Sequence, residues 1–202
     1  IKKKIKNSYY KNNNGKIRMV YYASSINNIR YINMIFVPLK RILEEFNNIV
    51  ELDVVGLQIE ELKSYKNVNF YPFISPLEKF YEFALTRNYS IGLAPLSDDP
   101  FSICKTNNKY RENAALGIAG IYSNVLPYKN IKNGFNGILV NNNDEEWYNS
   151  IKELIVNQDK RETIIRNSYL DIKENFSIEY VANKYLEVIN NLKSDINIIV
   201  LI

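Results

Sequence analysis

Three charged side chains, Lys105, Lys109 and Glu112, stand close together in the stretch CKTNNKYRENAALG. Lys105 comes just before a helix expected to begin near Asn107 or Asn108. A helix start carries unpaired N–H groups and a partial positive charge, and both favour an anion. A lysine beside it makes a better phosphate site than either feature alone. Glu112 falls one turn inside the same helix, and a carboxylate can accept from both hydroxyls of a ribose diol. In this order the residues would hold a nucleoside diphosphate, with the diphosphate at the helix start and the ribose one turn on. The same residues also read as an exposed helix face, on which Glu112 pairs with Lys109 for roughly 0.3 kcal/mol.

The rest of the composition narrows the chemistry. The chain has no histidine and one cysteine. That argues against a zinc site and against Ser-His-Asp or Cys-His catalysis from this chain alone. Cys104 reads as a small buried residue rather than a nucleophile, because no base stands near it to activate it. Asp98 and Asp99 beside Pro100 read as a turn rather than a metal pair. No metal and no cofactor is expected. A net charge of +4 suits a ligand with a few phosphates and is too small to argue for nucleic acid. The lone cysteine suits a reducing compartment, the cytoplasm.

The elements that must position these residues alternate along the chain. IRMVYYAS (17–24), VELDVVG, VNFYPF (68–73), YSIGLAPL (89–96), IAGIYS and GILV (137–140) are short apolar strands, suited to a parallel sheet buried on both faces. Between them lie helical patterns. INMIFVPLKRILEEF carries Pro38 as a break or a second helix start. SPLEKFYEFALT has Ser75 as the expected N-cap and Pro76 at the first helical position. NKYRENAAL ends at Gly117. DEEWYNSIKELIVN, with an acidic first turn, and two further helices complete a helical C-terminal end. Trp147 is expected in the core. The fold class is α/β: a Rossmann-like, doubly wound parallel sheet of about six strands with helices on both faces. Neither GxGxxG nor GxxxxGK[ST] is present. Residues 1–16 read as a basic linker or arm, which leaves open a contact with anionic lipid at a membrane surface. Residues 17–195 form the domain, and 196–202 an apolar tail too short to span a membrane.

In such sheets ligands bind beyond the carboxyl ends of the strands. Ser24 and Ser25 follow the first strand, with Arg30 further on. Phe73, near a nucleobase or in a core wall, follows the third. Phe101, Ser102, Cys104 and Lys105 follow the fourth, and Asn124 and Tyr128 the fifth.

The segment from Ile91 to about Phe176 resembles the C-terminal domain of the group 1 (family 4) glycosyltransferases of the GT-B fold. Their pattern K-S-x-x-K-x-x-E-x-x-A-x-G-x-P, then N-G-x-L-V, then a helix with a tryptophan, is met here. It falls at Lys105, Lys109, Glu112, Ala115, Gly117, Asn136 to Val140 and Trp147. The resemblance implies the donor-binding half of a retaining glycosyltransferase. Such an enzyme moves a sugar from a UDP- or GDP-sugar to an acceptor hydroxyl, on a sugar, a lipid-linked or a protein acceptor, without a metal. Glu112 would hold the donor ribose, and Lys105 would face the diphosphate as the catalytic cation. The acceptor would bind a separate N-terminal domain, expected to lie outside this chain. Two positions depart from the pattern. Cys104 stands where the family's first, sugar-positioning glutamate falls, so backbone groups of 100–102 would serve instead. Ala119 stands where proline is usual. Two other readings fit the same fold: a non-catalytic ligand-binding or scaffolding module, favoured by Cys104, and a nucleotide-sugar epimerase, against which the NGFNGILV segment and Trp147 speak.

Overall fold

A computed structural model describes residues 15–23 and 25–199, with the backbone alone for Ile26 and 193–199. Ser24, most of the basic arm (1–14) and the end of the tail (200–202) lie outside the described residues. Six strands form one all-parallel sheet: β1 (Ile17–Tyr22), β2 (Val50–Val55), β3 (Val68–Tyr71), β4 (Ile91–Ala94), β5 (Ala119–Ser123) and β6 (Ile138–Val140). The order is β3-β2-β1-β4-β5-β6. The chain winds outward in one direction from β1 and then returns to wind in the other. Its topological switch point is therefore the seam between β1 and β4, where Met19 pairs with Ile91 and Val20 with Gly92.

Side chains alternate across a strand, and β1 shows the result. Met19 and Tyr21 enter a core with α1 (Ile29–Asn33), α2 (Phe36–Glu45), α6 (Asp144–Val156) and the start of α7 (Gln158–Asn175). Val20 and Tyr22 enter the opposite core with Phe80 and Ala84 of α3 (Leu77–Arg87). Helices thus cover both faces, as expected. Trp147 is fully buried in the first core. α5 (Asn108–Leu116) lies on the sheet with its flank against α7. Its close approach depends on Gly92, where a Cβ would stand 2.6 Å from the Asn113 amide. Gly117 ends α5 at φ +72°, a left-handed turn that favours glycine.

Asp53 of β2 is fully buried and fully engaged. It accepts from Arg87 Nε at 2.8 Å, the Tyr89 hydroxyl at 2.9 Å and Asn69 Nδ2 at 2.9 Å. One carboxylate so ties β2 and β3 to the end of α3 and the entry to β4.

Several local expectations need correction. The chain breaks at Met34–Ile35, and Pro38 sits in the first turn of α2, where its missing N–H has no helical acceptor to lose. Pro76, not Ser75, is the capping residue of α3, and no side chain caps that helix. The loop after β4 contains a short helix, α4 (Pro100–Ile103), started by Asp99: its carboxylate accepts from the N–H groups of Phe101 and Ser102, with Pro100 at the first position. The last helix, α8 (Ile178–Ile199), runs through 196–199, the start of the expected tail. No described helix is long and apolar enough to cross a membrane.

Candidate functional site

A cavity of about 480 Å³ opens at the carboxyl end of the β1–β4 seam. β1 ends with Tyr21 and Tyr22, and β4 with Leu93 and Ala94, on its floor. The first turn of α5 forms one wall. Its cap residue Asn107 makes no side-chain cap; its carbonyl accepts from Tyr110 and Arg111, and no Asn107 side-chain oxygen covers the N–H groups of Asn108 and Lys109 at the helix start. The helix delivers Asn108, Lys109 and Glu112 to the cavity, and the link from α4 delivers Cys104, Lys105 and Thr106. Tyr31 of α1 and Tyr128 close the far side.

The charges are arranged as follows. Lys109 Nζ lies 3.1 Å from Glu112 Oε2 and 3.8 Å from the centroid of the Tyr22 ring. Burial lowers the Lys109 ammonium from its ordinary value, and the Glu112 carboxylate opposes that shift. Lys105 Nζ is 3.0 Å from the Tyr31 hydroxyl and lies over the rings of Tyr31 and Phe101, at 4.4 and 5.1 Å from their centroids. Arg30 also lies near the Phe101 ring, 5.6 Å from its centroid, and 3.6 Å from Asp99 Oδ2. Hydrogen bonds from the Ser97 and Ser102 hydroxyls, more than its contact with Arg30, hold Asp99 well below the usual carboxylate range. Behind the floor, burial raises the phenols of Tyr21, Tyr22 and Tyr128. They face the cavity as neutral rings that concentrate the field of the cations. Tyr22 donates to Asn113 Oδ1, and Asn113 Nδ2 donates to Tyr122 at 3.1 Å. That chain fixes the face α5 presents.

The expected site residues divide into two groups. Lys105, Lys109, Glu112 and Cys104 come together in the cavity. Glu112 both faces it and pairs with Lys109, so the two readings of that carboxylate describe one geometry. Phe101 and Ser25 line an adjoining open groove with Arg30, Asn28, Tyr31 and Lys105. Cys104, the residue that ends α4, is exposed at the cavity rather than buried. Ser102 is fully buried behind Tyr31 and reaches neither surface. Asn124 donates to Asn141 at the far end of the sheet edge. Phe73 is 61% exposed and stands beside Gly56, past β2 and β3, outside the cavity. Ser24 lies outside the described residues. Sequence reading missed Tyr31 and the tyrosines of the floor. Their one signal is aromatic density at the end of the first strand, YY and then RY, which is also ordinary core composition. Among the described residues no cluster of three His, Cys, Asp or Glu could hold a metal ion.

No protein-family model and no curated protein sequence matches the chain. Solved structures do match it. HepE of Anabaena, in complex with UDP and glucose, superposes with a TM-score of 0.66 at 14% identity, over 87% of this chain and 48% of its own. Sucrose-phosphate synthase of Thermosynechococcus elongatus gives 0.69 at 16% identity, over 89% and 46%. The C-terminal domain of the glycosyl transferase group 1 family protein LpcC of Francisella tularensis gives 0.62 at 14% identity, over 81% and 87%. The chain spans about half the length of the first two and most of the isolated LpcC domain. It shares its fold with that C-terminal domain of a group 1 glycosyl transferase and with about half of each of the other two proteins.

Proposed function

We propose that this chain is the donor-binding half of a retaining glycosyltransferase, using a UDP- or GDP-sugar and acting with a separate acceptor-binding domain. The observation that carries the reading is the convergence of Lys105, Lys109, Glu112 and the α5 start on one cavity at the switch point. Fold likeness to HepE, a protein solved with UDP, supports it. The nucleotide ribose lies against Glu112, and the diphosphate lies at the helix start beside Lys105. In the transfer, the bond from the sugar to the diphosphate breaks and its electron pair goes to the phosphate oxygen, while the acceptor hydroxyl oxygen forms the new bond to the sugar and its proton passes to the departing phosphate. Lys105 and the helix start face the oxygen where that charge develops, which is the electrostatic contribution a site of this kind makes. No step in this scheme assigns a metal or an imidazole base to this chain.

Calorimetric titration of the protein with UDP and GDP tests the reading. One of the two should bind saturably, and Glu112→Ala should weaken it by about 1.5–3 kcal/mol, the size of a hydrogen bond to a charged group. Unchanged affinity would remove Glu112 from the ribose. A second reading, a non-catalytic module, is favoured by Cys104, which lines the cavity where the family pattern has glutamate. A folded protein that binds neither nucleotide, or binds without consuming any donor sugar in the intact enzyme, would establish it.

A further inference from the structure

Two cations of the cleft converge on one phenol. Tyr31 is 4% exposed, and its hydroxyl lies 3.0 Å from Lys105 Nζ, 2.6 Å from Arg30 Nη2 and 2.9 Å from Ser102 Oγ. Counting donors sets the direction of these bonds. An ammonium and a guanidinium only donate. The Tyr31 oxygen therefore accepts from both cations, and its one proton goes to Ser102 Oγ. Ser102 in turn donates to Asp99 Oδ2 at 2.7 Å. Asp99 is held by the N–H groups of Phe101 and Ser102 as the cap of α4. The relay from the cations through Tyr31 and Ser102 thus ends on a fixed carboxylate. Both cations also lie over the Tyr31 ring, at 4.4 and 4.6 Å from its centroid. Tyr31 lines both the cavity and the adjoining groove, so the cations it holds stand where the two meet.

We infer that Tyr31 is a positioning residue: its hydroxyl and ring hold Lys105 and Arg30 side by side, so that both face one diphosphate of the ligand. The inference rests on the nucleotide-sugar reading above. Two long cationic side chains repel each other and are costly to order. An electron-rich ring and an accepting oxygen between them offset the repulsion and order them before the ligand arrives. The phenol itself reports this environment. Burial raises its pKa, but the hydrogen bonds it accepts, that from Lys105 first and that from Arg30 with it, act against burial, and the net shift is downward.

Tyr31→Phe keeps the ring and removes the oxygen. The intact protein and this variant are titrated with UDP, GDP, uridine, guanosine and inorganic pyrophosphate. The nucleoside diphosphate and pyrophosphate should weaken about tenfold, the lower end for a hydrogen bond to a charged group. The matching nucleoside should be unchanged, because it does not meet the cations. In a Lys105→Ala background the same substitution should cost clearly less, since the two act as a unit. Equal loss for diphosphate and nucleoside, or no loss for the diphosphate, overturns the inference. If the wild-type protein binds none of these, the nucleotide-sugar reading fails, and a ligand-free measurement decides the role of Tyr31. In protein with nitrogen-15 lysine, a hydrogen-bonded Lys105 ammonium should give a protected resonance that disappears in Tyr31→Phe. Identical spectra overturn the inference whatever the ligand result.

Discussion

Lys105 and Lys109 are both cations of one short stretch, and their surroundings separate their roles. Lys109 is committed to Glu112 and to the Tyr22 ring, and burial already works against its charge. It orients the carboxylate more than it offers charge to a ligand. Lys105 has no carboxylate ion-pair partner among the described residues and meets a phenol and two rings. It is therefore the cation free to face developing negative charge. Lys105→Ala in the complete enzyme should lower turnover about 100–1000-fold, the usual size for one charge-stabilising donor. Donor consumption measures it, and a loss under about threefold would remove Lys105 from the mechanism.

At the scale of elements, the site depends on how closely α5 approaches the sheet. Gly92 makes room for Asn113, and Asn113 joins Tyr22 to Tyr122. A methyl at Gly92 would press on the Asn113 side-chain amide, which its bonds to Tyr22 and Tyr122 keep from moving aside. Gly92→Ala should destabilise the protein by about 1–3 kcal/mol, as overpacking does, and should weaken nucleotide binding together with stability. Urea unfolding and calorimetry measure the two effects. A variant of unchanged stability would show that α5 can lift without cost. α4 is the second element that matters here. Asp99 starts it and receives Arg30 at its edge, so the residues read as a turn are the anchor of the cationic groove.

At the scale of the whole molecule, buried tyrosine sets the response to pH. Burial, the largest cause in each case, raises the phenols of Tyr21, Tyr22, Tyr89, Tyr110, Tyr122 and Tyr128 above their ordinary value of 10.0. The charge of Asp53 adds to the shift at Tyr89, and Asp171 adds to it at Tyr110. A group raised in this way keeps its proton in the fold while the unfolded chain releases it. The stability it contributes is complete below about pH 10 and is lost as pH rises through the folded value. Lys109, lowered by burial, and Tyr31, lowered by its hydrogen bonds, act in the opposite sense over the same region, but they are two groups against six. The protein should therefore unfold cooperatively in alkali, with tyrosinate absorbance rising in step with loss of circular dichroism. Tyrosines that ionise well before the fold is lost would contradict their burial. The chain has no histidine, so no side chain with an unperturbed pKa near neutrality adds a second transition.

The parallel α/β sheet was legible because each strand is a short apolar run and each helix repeats at its own period, both of which are local properties. The stretch from Lys105 to Glu112 was legible for a similar reason: a lysine, a helix start and a glutamate one turn on are set by spacing along one helix. Trp147 in the core and Gly117 at the helix end follow from side-chain size and backbone freedom alone. The α3 start was misread because Ser75 has the usual capping chemistry while Pro76 takes the cap position. The Asp99 cap was missed because an Asp-Pro pair starts a turn and a helix alike. Ser102 and Lys105 lie far in sequence from Arg30 and Tyr31, and the exclusion of Phe73 from the cavity depends on β2 and β3 lying to one side of the seam. The sequence by itself determined which elements form and which charges one helix carries. The strand order decided which of those elements meet at the switch point. Only that meeting placed Lys105, Arg30 and Tyr31 together, because hydrogen bonds and ring contacts act over a few ångströms and carry no trace of themselves in spacing along the chain.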